Sequence, residues 1–322
     1  MADKPDVSVI VATFNRAERL RRLLDGLRRQ THGLNRFEVL IVDDASTDDT
    51  PSILERERQR GELLLEVISG RSRTGPARAR DAGWRAAAGS VIAFTDDDCV
   101  PDPDWLAAGL RACSRNRGAI VQGRTDPSPD ELDRLGPFSR TISVAEPDPA
   151  FQTCNVFYPR ALLERVGGFD TEGFDRAPGG EDSDLAWRAI ESGAETAFAE
   201  DAVVYHGVNE LGPLGKLRVA ARWTTPMLAY VRHGELRRAH FERGIFWKGS
   251  HYLLVRALVA SVLPRRWRLL RAWLAAPYFV HLLERGRVEG GGVLLAPYFA
   301  LHDLVELVAV SRAAIRYRTP ML

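Results

Sequence analysis

Two kinds of segment take turns along the first hundred residues. Short, nearly all-apolar runs, "VSVIVA" (7–12), "FEVLIV" (37–42), "LLLEVIS" (63–69) and "SVIAF" (90–94), read as strands buried on both faces. Between them, apolar residues recur at helical spacing. Residues 16–30 put Leu20, Leu23, Leu24 and Leu27 on one face. Residues 50–60 begin a helix with Thr50 as cap and Pro51 at the first helical position, and residues 75–89 form one closed by Gly89. This alternation predicts an α/β domain on a mostly parallel sheet covered by helices. The polar clusters "TFN", "DDAST" and "TDDDC" all fall at strand carboxyl ends, where such sheets bind ligands, so they are expected to converge in space.

The pattern then changes twice. Residues 123–180 are rich in Pro and Gly and read as loops around short elements. From Gly212 onward the chain is helical, with arginines and aromatics interleaved. A Pro-Tyr-Phe echo at 277–279 and 297–299 is too slight to make a repeat protein. Arg256, Arg271, Asp303 and Glu306 interrupt every apolar run before it reaches 18 residues, so no membrane-spanning helix is expected. The pattern implies two regions, 1–210 and 211–322. The second is either a helical cap over a site or a set of amphipathic helices lying on a membrane.

Charge sharpens that division. The chain carries a net charge of +1, but residues 211–322 hold 18 Lys and Arg against 6 Asp and Glu, a charge of +12 that leaves −11 for residues 1–210. The acidic part suits a bound cation and the basic part an anionic surface. The basic residues lie on long apolar helices, which suits lipid rather than nucleic acid. With 322 residues, 45% hydrophobic and 27% charged, the composition is that of an ordinary globular protein. Three cysteines make no disulfide framework, and the first residues show no signal-peptide pattern. The expected location is the cytoplasm, with peripheral contact on the cytoplasmic face of the membrane.

The candidate chemistry is carboxylate chemistry. Asp96, Asp97 and Asp98 follow a buried strand directly. At an effective dielectric near 20, two such charges about 4 Å apart repel by roughly 4 kcal/mol, so either solvent or a cation must compensate. On an extended chain Asp96 and Asp98 share a face and Asp97 takes the other, which suits Mg²⁺ or Mn²⁺. Asp43 and Asp44 end another strand, where a carboxylate can accept the imide N–H of uracil or thymine. In "GGEDSDLAWRAIESG", Gly179 and Gly180 permit close backbone approach, and a helix leaning on Leu185, Trp187 and Ile190 holds Asp182 as a candidate general base. His206 follows a strand and is a candidate third ligand to a cation. Helix capping and solvation account for any one of these acids taken singly. The chain has no G-x-G-x-x-G after the first strand, no phosphate loop, no H-E-x-x-H and no paired C-x-x-C.

Taken together, "VSVIVATFNRAERLRRLLDGLRRQT", "FEVLIVDDASTDDT", "GPARARDAGWRAAAGSVIAFTDDDCVPDPDWL", "CNVFYPRALLERVGGFD" and "GGEDSDLAWR" resemble family 2 glycosyltransferases of the GT-A fold over about residues 6–206. The resemblance implies that Thr13 lies in a loop touching the nucleoside and that Asp44 reads the base. It places Arg80 near the nucleotide, with Asp81 where the family pattern has Asn. Asp96 and Asp98 correspond to the outer members of the D-x-D motif, with Asp97 between them on the nucleotide-sugar side and Asp98 as metal ligand. His206 resembles a His near the metal, Asp182 the catalytic base, and Glu181 and Trp187 flank the acceptor side. The implied reaction is a metal-dependent (Mn²⁺ or Mg²⁺), inverting transfer from a nucleoside-diphosphate sugar to a saccharide or lipid-linked hydroxyl. A nucleotidyltransferase would want a Gly-rich basic loop after the first strand, and "TFNRAER" has no Gly. A non-catalytic nucleotide-sugar-binding scaffold would tolerate loss of Asp98 or Asp182, and both are present.

Overall fold

In the computed structural model, which describes residues 4–174 and 179–322, the elements run β1 (Val7–Thr13), α1 (Ala17–Arg28), β2 (Phe37–Asp43), α2 (Thr50–Arg60), β3 (Leu64–Ser69), α3 (Pro76–Ala86), β4 (Val91–Thr95), β5 (Cys99–Pro101), α4 (Trp105–Arg115), β6 (Ile120–Pro127), β7 (Ser139–Arg140), β8 (Asn155–Pro159), α5 (Arg160–Val166), α6 (Glu181–Glu191), β9 (Thr196–His206) and β10 (Asn209–Glu210). There follow α7 (Gly212–Ala220), α8 (Met227–Arg232), α9 (Gly234–His240), α10 (Gly249–Val262), α11 (Arg268–Val288) and α12 (Ala296–Tyr317). The chain divides into two compact units, one of residues up to Leu132 with Thr141–Val208, the other of Asp133–Arg140 with Asn209–Leu322.

The first unit is built on an eight-stranded, mostly parallel sheet of order β3-β2-β1-β4-β8-β6-β9-β5. β2, β1 and β4 run parallel with their carboxyl ends together, as the apolar runs predict. Val7, Val9, Ile10 and Val11 have no exposed surface, which is why that strand shows no alternation. β8, from the loop-rich middle of the chain, enters antiparallel to both β4 and β6. β9 is parallel to β6 and antiparallel to β5, a register that sets His206 opposite Cys99. Two boundaries differ from expectation: α2 has Asp49, not Thr50, at its N-cap, with the Thr50 hydroxyl accepting the Arg16 N–H at 3.2 Å, and α3 ends at Ala86, not at Gly89. Gly89 instead lies against β1, where a Cβ would come within 2.7 Å of the Ser8 nitrogen, and its N–H donates to Ser8 Oγ at 2.8 Å.

The second unit is helical, with β7 and β10 pairing as a short antiparallel ribbon. Leu254, Tyr278, Leu282, Phe299 and Leu307 form the core of α10, α11 and α12. The Pro-Tyr-Phe echo is not a structural repeat, since Pro277 lies inside α11 and Pro297 in the first turn of α12. The expectation that no helix could span a membrane needs correcting. The helical segment Gly292–Tyr317 is long and apolar enough, with mean hydropathy 1.7 over its best window, 39% of which is buried. The two charges thought to interrupt it face inward: Asp303 bonds Arg285 at 2.9 Å and Glu306 bonds Lys248 at 2.8 Å. The outer face carries apolar groups such as Leu301, Leu304 and Val308, with Arg312 and Arg316 exposed in the last turns.

Candidate active site

The polar ends of β1, β2 and β4 meet as expected, but not by strand alternation. Residues 97–98 form a turn between β4 and β5, closed by the Cys99 N–H donating to the Asp96 carbonyl at 3.1 Å. The turn sends the three aspartates to three partners. Asp96 accepts from Arg80 at 2.6 Å, and Asp97 accepts from the Thr13 hydroxyl at 2.8 Å. Asp98 lies 3.4 Å from His206 Nε2 and 3.8 Å from the Arg16 guanidinium.

Arg80, on α3, is the hinge of the cluster. It bonds Asp96 with one nitrogen and Glu181 with the other, the latter at 2.8 Å. Burial opposes its charge, but the Asp96 and Glu181 carboxylates outweigh burial and hold the guanidinium above its ordinary range. The first turn of α6 is thereby tied to the end of β4. Glu181 is buried between Arg80 and the Gly179 N–H, which donates to its second oxygen at 2.7 Å. Asp182 is its partly exposed neighbour. Gly179 and Gly180 have φ of +110° and +91°, values that favour Gly, and they turn the chain into α6. Burial, then the Glu181 charge, pushes the Asp182 carboxyl up to about 7. Burial and Asp98 push Asp97 to about 7 in the same way.

His206 ends β9. Its Nδ1 lies 2.8 Å from the Gly207 carbonyl, which only accepts, so Nδ1 carries the proton. In the neutral ring, Nε2 then presents its lone pair to Asp98. A carboxylate oxygen and an imidazole nitrogen 3.4 Å apart can serve one cation together. The donor atoms of Asp98, Cys99 and His206 lie within 4.8 Å of one another, and the oxygen–nitrogen pair suits Mn²⁺ or Mg²⁺.

The remaining sequence candidates have definite places. Asp44 is buried, and it accepts the Thr74 N–H at 2.6 Å, the Thr74 hydroxyl at 2.8 Å and the Gly75 N–H at 2.8 Å. Three of its roughly four acceptor sites are taken, leaving one for a ligand. Trp187 sits on the outer side of α6 and donates to the Pro149 carbonyl at 2.7 Å, pinning the 148–151 loop. Asp81 turns away from the cluster to hold Trp84 Nε1 at 2.8 Å and the Phe169 N–H at 3.1 Å. The departure from Asn at that position therefore serves packing.

Sequence reasoning missed two groups. Asn15 has φ +52° and accepts the Thr47 N–H at 2.7 Å, lacing the β1 and β2 ends together. Asn tolerates that backbone region better than most residues, which was the available signal. Glu131 is buried between Arg19, at 2.5 Å, and Arg22, and accepts the Val208 N–H at 2.7 Å. It anchors the chain two residues beyond His206. Despite burial, these bonds hold its carboxyl down at about 2. Nothing in "PSPDELDR" marks it in advance.

A curled, mostly parallel sheet with this acidic cluster at its strand ends is the frame of a GT-A glycosyltransferase. The profile of glycosyl transferase family 2 matches residues 8–170, half of the chain, and the chain belongs to that family. Glycosyltransferase AglE of Haloferax volcanii is 29% identical over 221 residues, covering 66% of this chain and 70% of AglE. Validoxylamine A glucosyltransferase of Streptomyces hygroscopicus is 31% identical over 220 residues, covering 57% of this chain and 51% of that protein. The fold is shared with the mannosyltransferase PcManGT from Pyrobaculum calidifontis, solved with GDP-Man and Mn²⁺, at TM-score 0.62 and 24% identity over 98% of this chain and 88% of that one. It is shared also with Staphylococcus aureus TarS 1-349, solved with UDP-GlcNAc, at TM-score 0.55 and 18% identity over 98% and 92%. The protein is a glycosyltransferase, which sets aside the nucleotidyltransferase and scaffold readings.

Proposed function

We propose that this enzyme transfers a sugar, with inversion and with a divalent cation, from a nucleoside-diphosphate sugar to a hydroxyl of a saccharide or lipid-linked acceptor. The observation that carries the reading is the Arg80 bridge from Asp96 to Glu181, which ties the base candidate Asp182 to the same cluster as the Asp98–His206 pair. Asp98 and His206 would hold Mn²⁺ or Mg²⁺, whose chemistry there is to stabilise charge on the departing nucleoside diphosphate. Thr13, Asp44, Arg80, Asp96 and Asp97 form the donor side. Asp182 takes the proton from the acceptor hydroxyl as that oxygen attacks the anomeric carbon. Trp187, through the 148–151 loop, shapes the acceptor side, and Glu181 acts from behind by fixing Arg80. Mn²⁺ and nucleotide sugars in the PcManGT and TarS structures support this reading.

Thermal unfolding with UDP-, GDP- and dTDP-sugars, with and without Mn²⁺, tests it. A donor at 100 times its Kd stabilises by about 2.7 kcal/mol, a rise of several degrees in Tm. At least one donor is expected to give that rise only with the cation. If none does, the donor reading fails.

The helical region, about residues 211–322, is read as the part that meets an anionic membrane from the cytoplasmic side. The turn between α10 and α11 carries the case: Val262 is 80% exposed, Leu269 80% and Trp273 66%, beside exposed Arg265, Arg266 and Arg268. Trp223 and Trp247, which the sequence would add to this surface, pack against each other instead, ring centroids 4.1 Å apart and planes tilted by 51°. Each basic residue near the surface adds about 1 kcal/mol of attraction, screened by salt. Co-sedimentation with anionic vesicles at low salt, lost at high salt and weakened by Leu269→Asp, is the expected outcome. Protein that stays in the supernatant at low salt removes the membrane from the proposal.

A further inference from the structure

The helical unit buries a second cluster of ionisable groups, remote in sequence from the acidic strand ends. His302, Asp303 and Glu306 lie on one face of α12, and their donor atoms fall within 4.8 Å of one another. His251, from the first turn of α10, faces the same spot, with Nε2 3.6 Å from Glu306 Oε2. His302 Nδ1 is 3.8 Å from that same oxygen and 3.9 Å from Asp303 Oδ1.

Imidazole supplies the independent sign that this is a ligand set. His251 has no exposed surface and His302 only 5%. Yet among the described residues neither His251 nitrogen, nor His302 Nδ1, has a hydrogen-bond partner. A buried polar atom left unpaired costs about 1–3 kcal/mol, so three in one spot need a reason. The separations are too long for hydrogen bonds. They fit donor atoms arranged around one ion, since ligands 2.0–2.1 Å from a tetrahedral Zn²⁺ stand roughly 3.3 Å apart.

We propose that His251, His302, Glu306 and Asp303 form a binding site for a transition-metal ion of the zinc class, pinning α10 to α12. Two imidazoles with carboxylate oxygens select that class over Mg²⁺ or Ca²⁺. The outer bonds of a ligand set are already made. Tyr278 and Arg285 hold the Asp303 carboxylate at 3.1 and 2.9 Å. Lys248 bonds Glu306 at 2.9 and 2.8 Å, but its side chain is 42% exposed. It is the cation that an incoming metal displaces into solvent. A cleft of about 760 Å³, lined by Lys248, Arg285 and Asp303 among others, gives the ion its way in.

The experiment uses the full-length protein, freed of metal by chelation and titrated with Zn²⁺ alone, following heat of binding and Tm. It is run in an Asp98→Ala/His206→Ala background, so that its failure is distinct from failure of the donor reading. One equivalent of Zn²⁺ is expected to bind and raise Tm. His302→Gln should weaken binding by at least about tenfold, the scale seen when even indirect partners of a metal ligand are lost. Lys248→Met removes the competing ammonium and should tighten binding several-fold. That gain is one a misfolded variant cannot mimic. If no Zn²⁺ binds in this background, or if neither substitution changes the affinity, the site does not exist.

Discussion

Asp182→Asn is expected to cut transfer by about 10²–10⁴-fold while donor binding stays nearly unchanged. Asn keeps the size and the polar contacts of the side chain but cannot take a proton. In the proposed reading donor affinity rests on other groups, namely the Arg80–Asp96 pair, Asp44 and the Asp98–His206 pair. The wild-type pH profile gives a second check. Burial and Glu181 push the Asp182 carboxyl up to about 7, and a base works only when deprotonated. The charges around it pull both ways: Glu181 and Asp96 raise it, and Arg80 lowers it. The value of kcat/KM should therefore fall as pH drops through about 7 and level off above it. The Asn variant should lack that limb. Turnover above about a tenth of wild type would mean that another group is the base.

Asp98→Ala should abolish the response to Mn²⁺ and, with it, tight donor binding. Asp98 is the one acid of its triplet that faces His206, and His206 has its Nδ1 committed to the Gly207 carbonyl. Removing the carboxylate leaves a lone imidazole, which holds a hard cation poorly. The expected loss in Mn²⁺ affinity is at least the roughly 10–100-fold seen when an indirect partner is removed. Calorimetry with UDP and Mn²⁺ measures it. Affinity and metal response both equal to wild type would take Asp98 out of the site.

Much of this was legible in the chain. Buried parallel strands have to be apolar on both faces, so β1, β2 and β4 stood out by pattern alone, and their polar ends had to meet. The place of Asp182 in the first turn of α6 was legible because a Gly-Gly pair precedes it and an amphipathic helix follows. The roles within "DDD" were not. A turn, not an extended strand, carries Asp97 and Asp98, and turn geometry depends on what the side chains find: Thr13 for Asp97, His206 for Asp98, Arg80 for Asp96. Those partners lie far off in sequence. Glu181 illustrates the same limit, since its place against Arg80 comes from a contact across 101 positions.

The helical region shows the division most clearly. Its basic, aromatic character is a property of composition and needs no structure. Which of those residues face outward does need it. Trp223 and Trp247 cover each other, while Trp267 and Trp273 remain exposed. Asp303 and Glu306 look like interruptions in an apolar run, yet they turn inward to Arg285 and Lys248 beside two buried histidines. Local sequence determined where strands, helices and polar ends fall, because those follow from short-range periodicity and the cost of burying polar backbone. Tertiary structure alone decided which charge meets which, because pairing acts through space between residues that the chain holds far apart.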